Sequence, residues 1–179
     1  MIAELNRQPE SESPMFQNQH ERRRVKGIFN KMVDPEVVDS ILQDGEKGLT
    51  LKQARVEFIL VFVRDDVPSE VSERMGAVMD TAKAARATIH DVIGALVVMA
   101  FGTHPALGTN DGSRASLVDA LRSKLGADIK IVHGAADGQC GLFGSERGIM
   151  THSFLVPHFD KILGSLSRLK FGEIEEFRQ

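Results

Sequence analysis

The sequence predicts a two-layer α/β (α+β) sandwich, in which a sheet with mixed or antiparallel pairing is covered by helices. Three observations lead there. The apolar periodicity changes along the chain in the order strand, helix, strand, strand, helix, strand, strand, helix. Residues 56–63 are apolar on both faces, with Phe58, Leu60 and Phe62 on one and Ile59, Val61 and Val63 on the other, as a central strand requires. Neither a Gly-rich dinucleotide fingerprint nor a phosphate loop ending in GK[ST] occurs, so the doubly wound nucleotide-binding sheets lack their chemical anchor.

Residues 1–20, rich in Asn, Gln, Pro, Ser and Glu, read as a flexible tail ahead of any core. Residues 21–48 read as two amphipathic helices. In the first, Val25, Ile28, Phe29 and Met32 recur at intervals of three and four beside a basic face. In the second, Asp34 caps, Pro35 takes the first helical position, and Val37, Val38, Ile41 and Leu42 form the stripe. Each stripe must be covered, either by the following domain or by a second copy of the chain.

Residues 49–179 form the main domain. After the first strand, Pro68 opens a helix whose stripe is Val71, Met75, Val78, Met79 and Ala82. Residues 88–93 and 95–101 read as strands joined at Gly94, which tolerates the positive φ of a tight turn. The turn-rich segment 102–112 reads as a loop and residues 113–125 as a helix on Leu117, Val118, Leu121 and Leu125. Strands are expected at 128–132 and 139–143, with GAADG as the hairpin between them, and an extended stretch at 151–155. Pro157 opens a final helix that buries Phe159, Ile162, Leu163, Leu166 and Leu169.

Composition narrows the function classes. The 179 residues carry a net charge of -3, with no Trp, no Tyr and ten Phe, which gives neither a phosphate-binding field nor an aromatic platform for nucleic acid. The basic run Arg22, Arg23, Arg24 and Lys26 is too short to reverse that balance. Cys140 is the single cysteine, which excludes an internal disulfide and a cysteine-rich metal site and fits a reducing, cytoplasmic setting. The longest apolar run, 95–101, falls far short of the roughly 20 residues of a spanning helix, so no direct membrane insertion is expected.

Four stretches carry a more specific signal: FNKMVDPEVVDSIL at 29–42, VVMAFG at 97–102, HGAADGQCGLFGSERG at 133–148 and FGEI at 171–174. Their motifs and order resemble the class III nucleotide cyclase catalytic domain, over about residues 20–175. The resemblance implies a ferredoxin-like fold preceded by N-terminal helices, and either a homodimer or pairing with a cyclase-like heteropartner. Ser145, Glu146 and Arg147 then border the dimer interface, together with the stripe Val25, Ile28, Phe29 and Met32.

Active members of that family hold two metal ions on two aspartates, which organise the triphosphate and lower the pKa of the attacking hydroxyl. Matching Phe62 to the family's F-x-D pattern places Arg64 at the first metal position, and matching Ile93-Gly94 to its I-G turn places Ala95 at the second. A guanidinium has no lone pair to give a cation, and a methyl group offers nothing polar. Asp65 and Asp66 are weak substitutes. Asp65 alternates to the opposite face, and Asp66 lies ~6–7 Å farther along the strand. A rim pairing of Arg64 with Asp66 or another nearby acid is the plainer expectation.

The purine-contacting positions of the family correspond to Asp91 and Pro157. Its ribose-orienting Asn and transition-state Arg correspond to Asp160 and Gly164 when aligned on FGEI, or to Phe159 and Leu163 when aligned on GSER. Neither register restores the pair. The expectation is a catalytically inactive cyclase-homology domain, without cofactor, acting as a regulatory or scaffolding dimer in signal transduction. The alternatives are a divergent adenylate or guanylate cyclase, active alone or completed by a partner, and a noncatalytic nucleotide sensor.

Other reactive residues have simpler readings. His133 is expected at a strand end beside a turn, His90 and His158 lack a third ligand for zinc, and Cys140 is a small hydrophobe in a strand. Lys124, Lys130 and Lys161 are dispersed, with no glycine-rich nest behind them to hold phosphate.

Overall fold

The computed structural model describes residues 51–103, 111–143 and 151–178. The chain runs through β1 (Lys52–Val63), α1 (Pro68–Ala84), β2 (Thr88–Ile93), β3 (Leu96–Phe101), α2 (Asp111–Leu125), a 3-10 turn (Gly126–Asp128), β4 (Ile129–Phe143), β5 (Thr151–Leu155), α3 (Phe159–Arg168) and β6 (Ile174–Phe177). The sheet order is β2-β3-β1-β4-β5, with β6 beside β4. All pairings are antiparallel except β4 with β6. Leaving the 3-10 turn aside, the elements from β1 to β4 form the βαββαβ unit of a ferredoxin-like sheet, as the element order predicts.

β1 is central because both of its faces are apolar. Ile59, Val61 and Val63 pack with Val78 and Ala82 of α1 and Leu117 and Leu121 of α2. Phe58 and Leu60 lie on the other face, under Ile162 and Leu166 of α3. Full burial of a side chain such as Phe58 contributes about 1.5–3 kcal/mol, so the two faces fix β1 from both sides. The sheet and the α1/α2 layer make the sandwich, and the short α3 lies across the opposite face.

Three expectations change. GAADG is not a hairpin: β4 is one continuous strand that pairs with β1 from Ile129↔Val63 to Cys140↔Lys52. Its glycines answer to crowding instead of turning. A Cβ at Gly134 would come within 2.7 Å of the Phe177 carbonyl oxygen and 2.8 Å of the Phe58 ring, and one at Gly138 would overlap the Leu155 carbonyl oxygen. His133 therefore sits in mid-strand, opposite Ile59 and Glu176, not at a strand end.

Leu163 is exposed at 37%, whereas Ser165 takes a buried place in α3. FGEI continues into β6, a strand too short for its periodicity to be visible. The Gly94 turn is as expected, at φ +58°. The tail, the two N-terminal helices with Val25, Ile28, Phe29 and Met32, and the segment containing Ser145, Glu146 and Arg147 lie outside the described residues.

Candidate functional site

The two positions matched to metal ligands meet at one end of the sheet. The ladder pairs Phe62 with Leu96, and the Val63 N–H donates to the Ala95 carbonyl oxygen at 2.9 Å. This brings the chain just after β1 beside the β2–β3 turn. What that corner presents is a cation next to a buried methyl group, since Ala95 is 8% exposed.

The Arg64 side chain is built into the fold. Nη2 donates to the Ala127 carbonyl oxygen at 2.8 Å, Nε lies 3.9 Å from Asp128 Oδ1, and the guanidinium stands 4.8 Å from the centre of the Phe171 ring. Its main-chain N–H also donates to the Asp128 carbonyl oxygen at 2.7 Å. The acid beside Arg64 is thus Asp128, not Asp66. Asp66 faces Arg74 at 3.8 Å, and Asp65 is exposed in the same loop.

Arg74 of α1 binds this corner together. It is 13% exposed, donates to the Arg64 carbonyl oxygen at 3.0 Å, pairs with Glu70 one turn back, and reaches Asp128 at 3.3 Å. Glu70, Glu73, Arg74, Lys124 and Asp128 line an open cleft of about 390 Å3 between α1 and α2. Carboxylates and cations share its lining, so it offers no single-signed field to a phosphate or a metal.

A second cleft of about 210 Å3 lies between the β2–β3 pair and β5 with α3. Asp91, Phe159 and Leu163 all line it, so the purine-matched position on β2 and the GSER-register positions of α3 share one concavity. Asp160 and Gly164 are not among its lining residues. Pro157 is exposed in the turn before α3, next to His158 at φ 59°. The walls are Leu96, Val98, Phe154 and Val156, and the Asp91 carboxylate accepts the Val92 N–H at 2.8 Å.

Of the remaining reactive groups, His90 also lines the second cleft. His90 Nε2 lies 3.2 Å from Thr103 Oγ1, and its ring meets Phe154 edge-on with centroids 4.9 Å apart. His158 is the left-handed residue at the start of α3. His133 Nδ1 is buried with no hydrogen-bond partner among the described residues. Burial and the Arg114 charge hold its pKa below the ordinary value, against a smaller upward pull from Glu176 and Asp119. The neutral ring is therefore favoured.

Burial pushes the Cys140 thiol up, against a weaker lowering by Lys52, which keeps it protonated and unreactive. Lys130 donates to the Leu169 carbonyl oxygen at 3.3 Å and lies over the Phe62 ring, while Lys161 is exposed. Among the described residues no group of three or more His, Cys, Asp or Glu is placed to hold a metal ion, and no helix is long and apolar enough to cross a membrane. Glu57, 1% exposed in the middle of β1, is a buried acid that the sequence pattern did not single out.

No protein-family model matches the sequence, and no curated protein matches it. Solved structures do. The adenylyl cyclase CyaB from P. aeruginosa aligns with a TM-score of 0.60 at 13% identity, over 72% of this chain and 79% of that one. A bacterial light-regulated adenylyl cyclase aligns at 0.65 and 13%, over 92% of this chain and 57% of that one. The guanylate cyclase domain of RhGC from Catenaria anguillulae, solved in complex with GTP, aligns at 0.56 and 13%, over 70% and 79%. At such identities the likeness concerns fold: the chain has the ferredoxin-like architecture of class III cyclase domains.

Proposed function

We propose that this chain is a noncatalytic cyclase-homology module that regulates or scaffolds a signalling assembly in the cytoplasm, as a homodimer or with a cyclase-like heteropartner. One observation carries the reading: at the corner where the fold's metal ligands are expected, Arg64 is tied by its guanidinium to the Ala127 carbonyl oxygen at 2.8 Å, and the residue before it, Val63, bonds to Ala95, the second matched position. A permanent cation fixed there repels a divalent metal, and no carboxylate from the second position offsets it. Phosphoryl transfer in this fold depends on charge neutralisation around the triphosphate, and these residues withhold it.

The cleft on the other side of the β2–β3 turn agrees. Its Asp91 and its apolar walls lack the cation and the amide–Arg pair that would hold a purine and a ribose. Under this reading Ser145, Glu146 and Arg147 contribute to association, and residues 21–48 couple that association to a partner or an upstream sensor.

The test is turnover of ATP and GTP by the full chain with Mg2+ and with Mn2+, alongside its mass in solution by light scattering. Absence of cyclic nucleotide from an associated species is the expected result. Cyclic nucleotide formation that disappears when Asp65 or Asp66 is changed to Ala overturns the noncatalytic assignment, and a strictly monomeric chain that associates with no cyclase removes the scaffolding one.

A further inference from the structure

We infer that β6 is a proton-operated latch: a proton taken up by His133 opens this short strand from β4 while the rest of the sheet stays paired. β6 is the last element of the sheet, four residues long, and none of its residues is buried. Its hold on the domain is correspondingly small. The main ties are the ladder from Ile131↔Ile174 to Gly134↔Phe177, the Phe177 ring 6.4 Å from that of Phe58 between centroids, and one ion pair to α2, from Arg114 Nη2 to Glu176 Oε1 at 3.3 Å.

His133 stands against that strand, opposite Glu176 on one side and Ile59 of β1 on the other. Its Nδ1 and the Nε of Arg114 are both buried with no hydrogen-bond partner among the described residues. A neutral imidazole leaves one of its nitrogens without a proton. The cation carries a proton on both, so the buried Nδ1 becomes a donor with nothing to receive it. The charged ring also meets the permanent cation of Arg114.

The acids nearby cannot take up that charge and leave the latch intact. Both oxygens of Glu176 are engaged, Oε1 by Arg114 and Oε2 by Arg178 at 2.8 Å. A Glu176 carboxylate that turns to a charged His133 leaves Arg114, and the tie between β6 and α2 is lost. Asp119 is exposed on α2, and Glu57 of β1 pairs with Ala135, two residues along β4 on the same face. Burial outweighs the upward pull of Glu176 and Asp119, so the closed form resists the proton.

Of the three walls around the ring, β6 gives way first. β1 is the central strand, twelve residues long, and α2 is anchored through buried Leu117 and Leu121. Opening β6 lets water reach the ring and bares residues 131–134 of β4 as an unpaired edge. An open form whose ring titrates near the ordinary 6.5 gains up to about tenfold in population per pH unit below that value, until pH reaches the lowered pKa of the closed form. The latch depends neither on nucleotide turnover nor on dimer formation.

The experiment is amide exchange of the full chain by NMR at pH 7.5 and 5.5, expressed at each pH relative to the unstructured rate. Protection over residues 174–177 is expected to fall about fivefold or more at the lower pH, with little dependence on dilute urea, while residues 58–61 of β1 keep theirs. His133→Gln is expected to remove most of that response from β6. The His133 ring resonances of the parent chain give a measurement that needs no variant, and their midpoint is expected below 6.5. Loss of protection in β6 and β1 together with one urea dependence, an equal β6 response in His133→Gln, or a ring that titrates at or above 6.5 overturns the inference.

Discussion

The guanidinium of Arg74 donates to the main-chain carbonyl oxygen of Arg64 at 3.0 Å, so the residue that closes β1 is held from the first turns of α1. The same group reaches Asp128 at 3.3 Å, at the start of β4. One largely buried cation thereby joins α1 to the end of β1 just before it and to the turn before β4, far along the chain. Arg74→Ala is expected to lower stability by about 1.5–3 kcal/mol, the range for hydrogen bonds to a charged group. Arg74→Lys is expected to recover less than half of that, because an ammonium cannot reproduce the fork. Urea denaturation of the three proteins measures both.

Arg64→Asp tests whether the cation at the metal-matched corner is part of the structure. The change removes the bond to the Ala127 carbonyl oxygen and sets a carboxylate against Asp128. A loss of about 1–3 kcal/mol is expected, with no gain of Mn2+ binding by calorimetry. Tight Mn2+ binding by the variant would show that the corner needs only one carboxylate to become a metal site.

Glycines in two settings should respond with opposite sign. Gly138→Ala drives a methyl into the Leu155 carbonyl oxygen and is expected to cost more than about 3 kcal/mol or to detach β5. Gly76 lies in α1 with nothing within 4 Å of a built Cβ, so Gly76→Ala is expected to stabilise by about 0.4–1 kcal/mol. Thermal melts of the two variants decide it.

His133 should make stability depend on pH on the acid side of neutrality. Its folded pKa lies below the unfolded value of 6.5, so below that pH the unfolded chain binds a proton that the native chain resists. The native state keeps its full advantage above 6.5 and loses it as pH falls through 6.5 toward the lowered value. The charges facing the ring, Arg114 on one side and Glu176 and Asp119 on the other, act in opposite directions, with burial the largest cause. The urea midpoint should drop between pH 7.5 and 5.5 by a larger amount in the parent than in His133→Gln.

Most of the fold was legible because its strands and helices declare themselves by period. The two-faced run in β1, the Gly94 turn and the stripes of α1 and α2 follow directly from residue spacing. β4 was not legible, since D-G at 137–138 is a strong turn signal in isolation, and only the neighbouring Leu155 carbonyl shows that the glycine serves close approach. β6 is four residues long and carries no readable alternation.

At the candidate site, the sequence placed Arg64 and Ala95 at matched positions, and the ladder brings their segments together. It could not show that Arg64 turns to Asp128, because that acid lies sixty-four residues away and no local pattern links them. Helical spacing puts Leu163 in the core, yet α3 lies across an open cleft that leaves it 37% exposed.

β4 is gripped on one side by β1 and on the other by β5 and then β6, and the last of these pairings joins Ile131 to Ile174. This short parallel ladder, made by the last strand in the element order, pays a loop-closure cost before it pairs, even though β5 and α3 lie in the interval it closes. Until then one edge of the longest strand is bare, ready to recruit a stray strand from a neighbouring molecule. Crowded, partly made chains of this protein would therefore need sheltering, and their yield should be set by how quickly residues 174–177 come home.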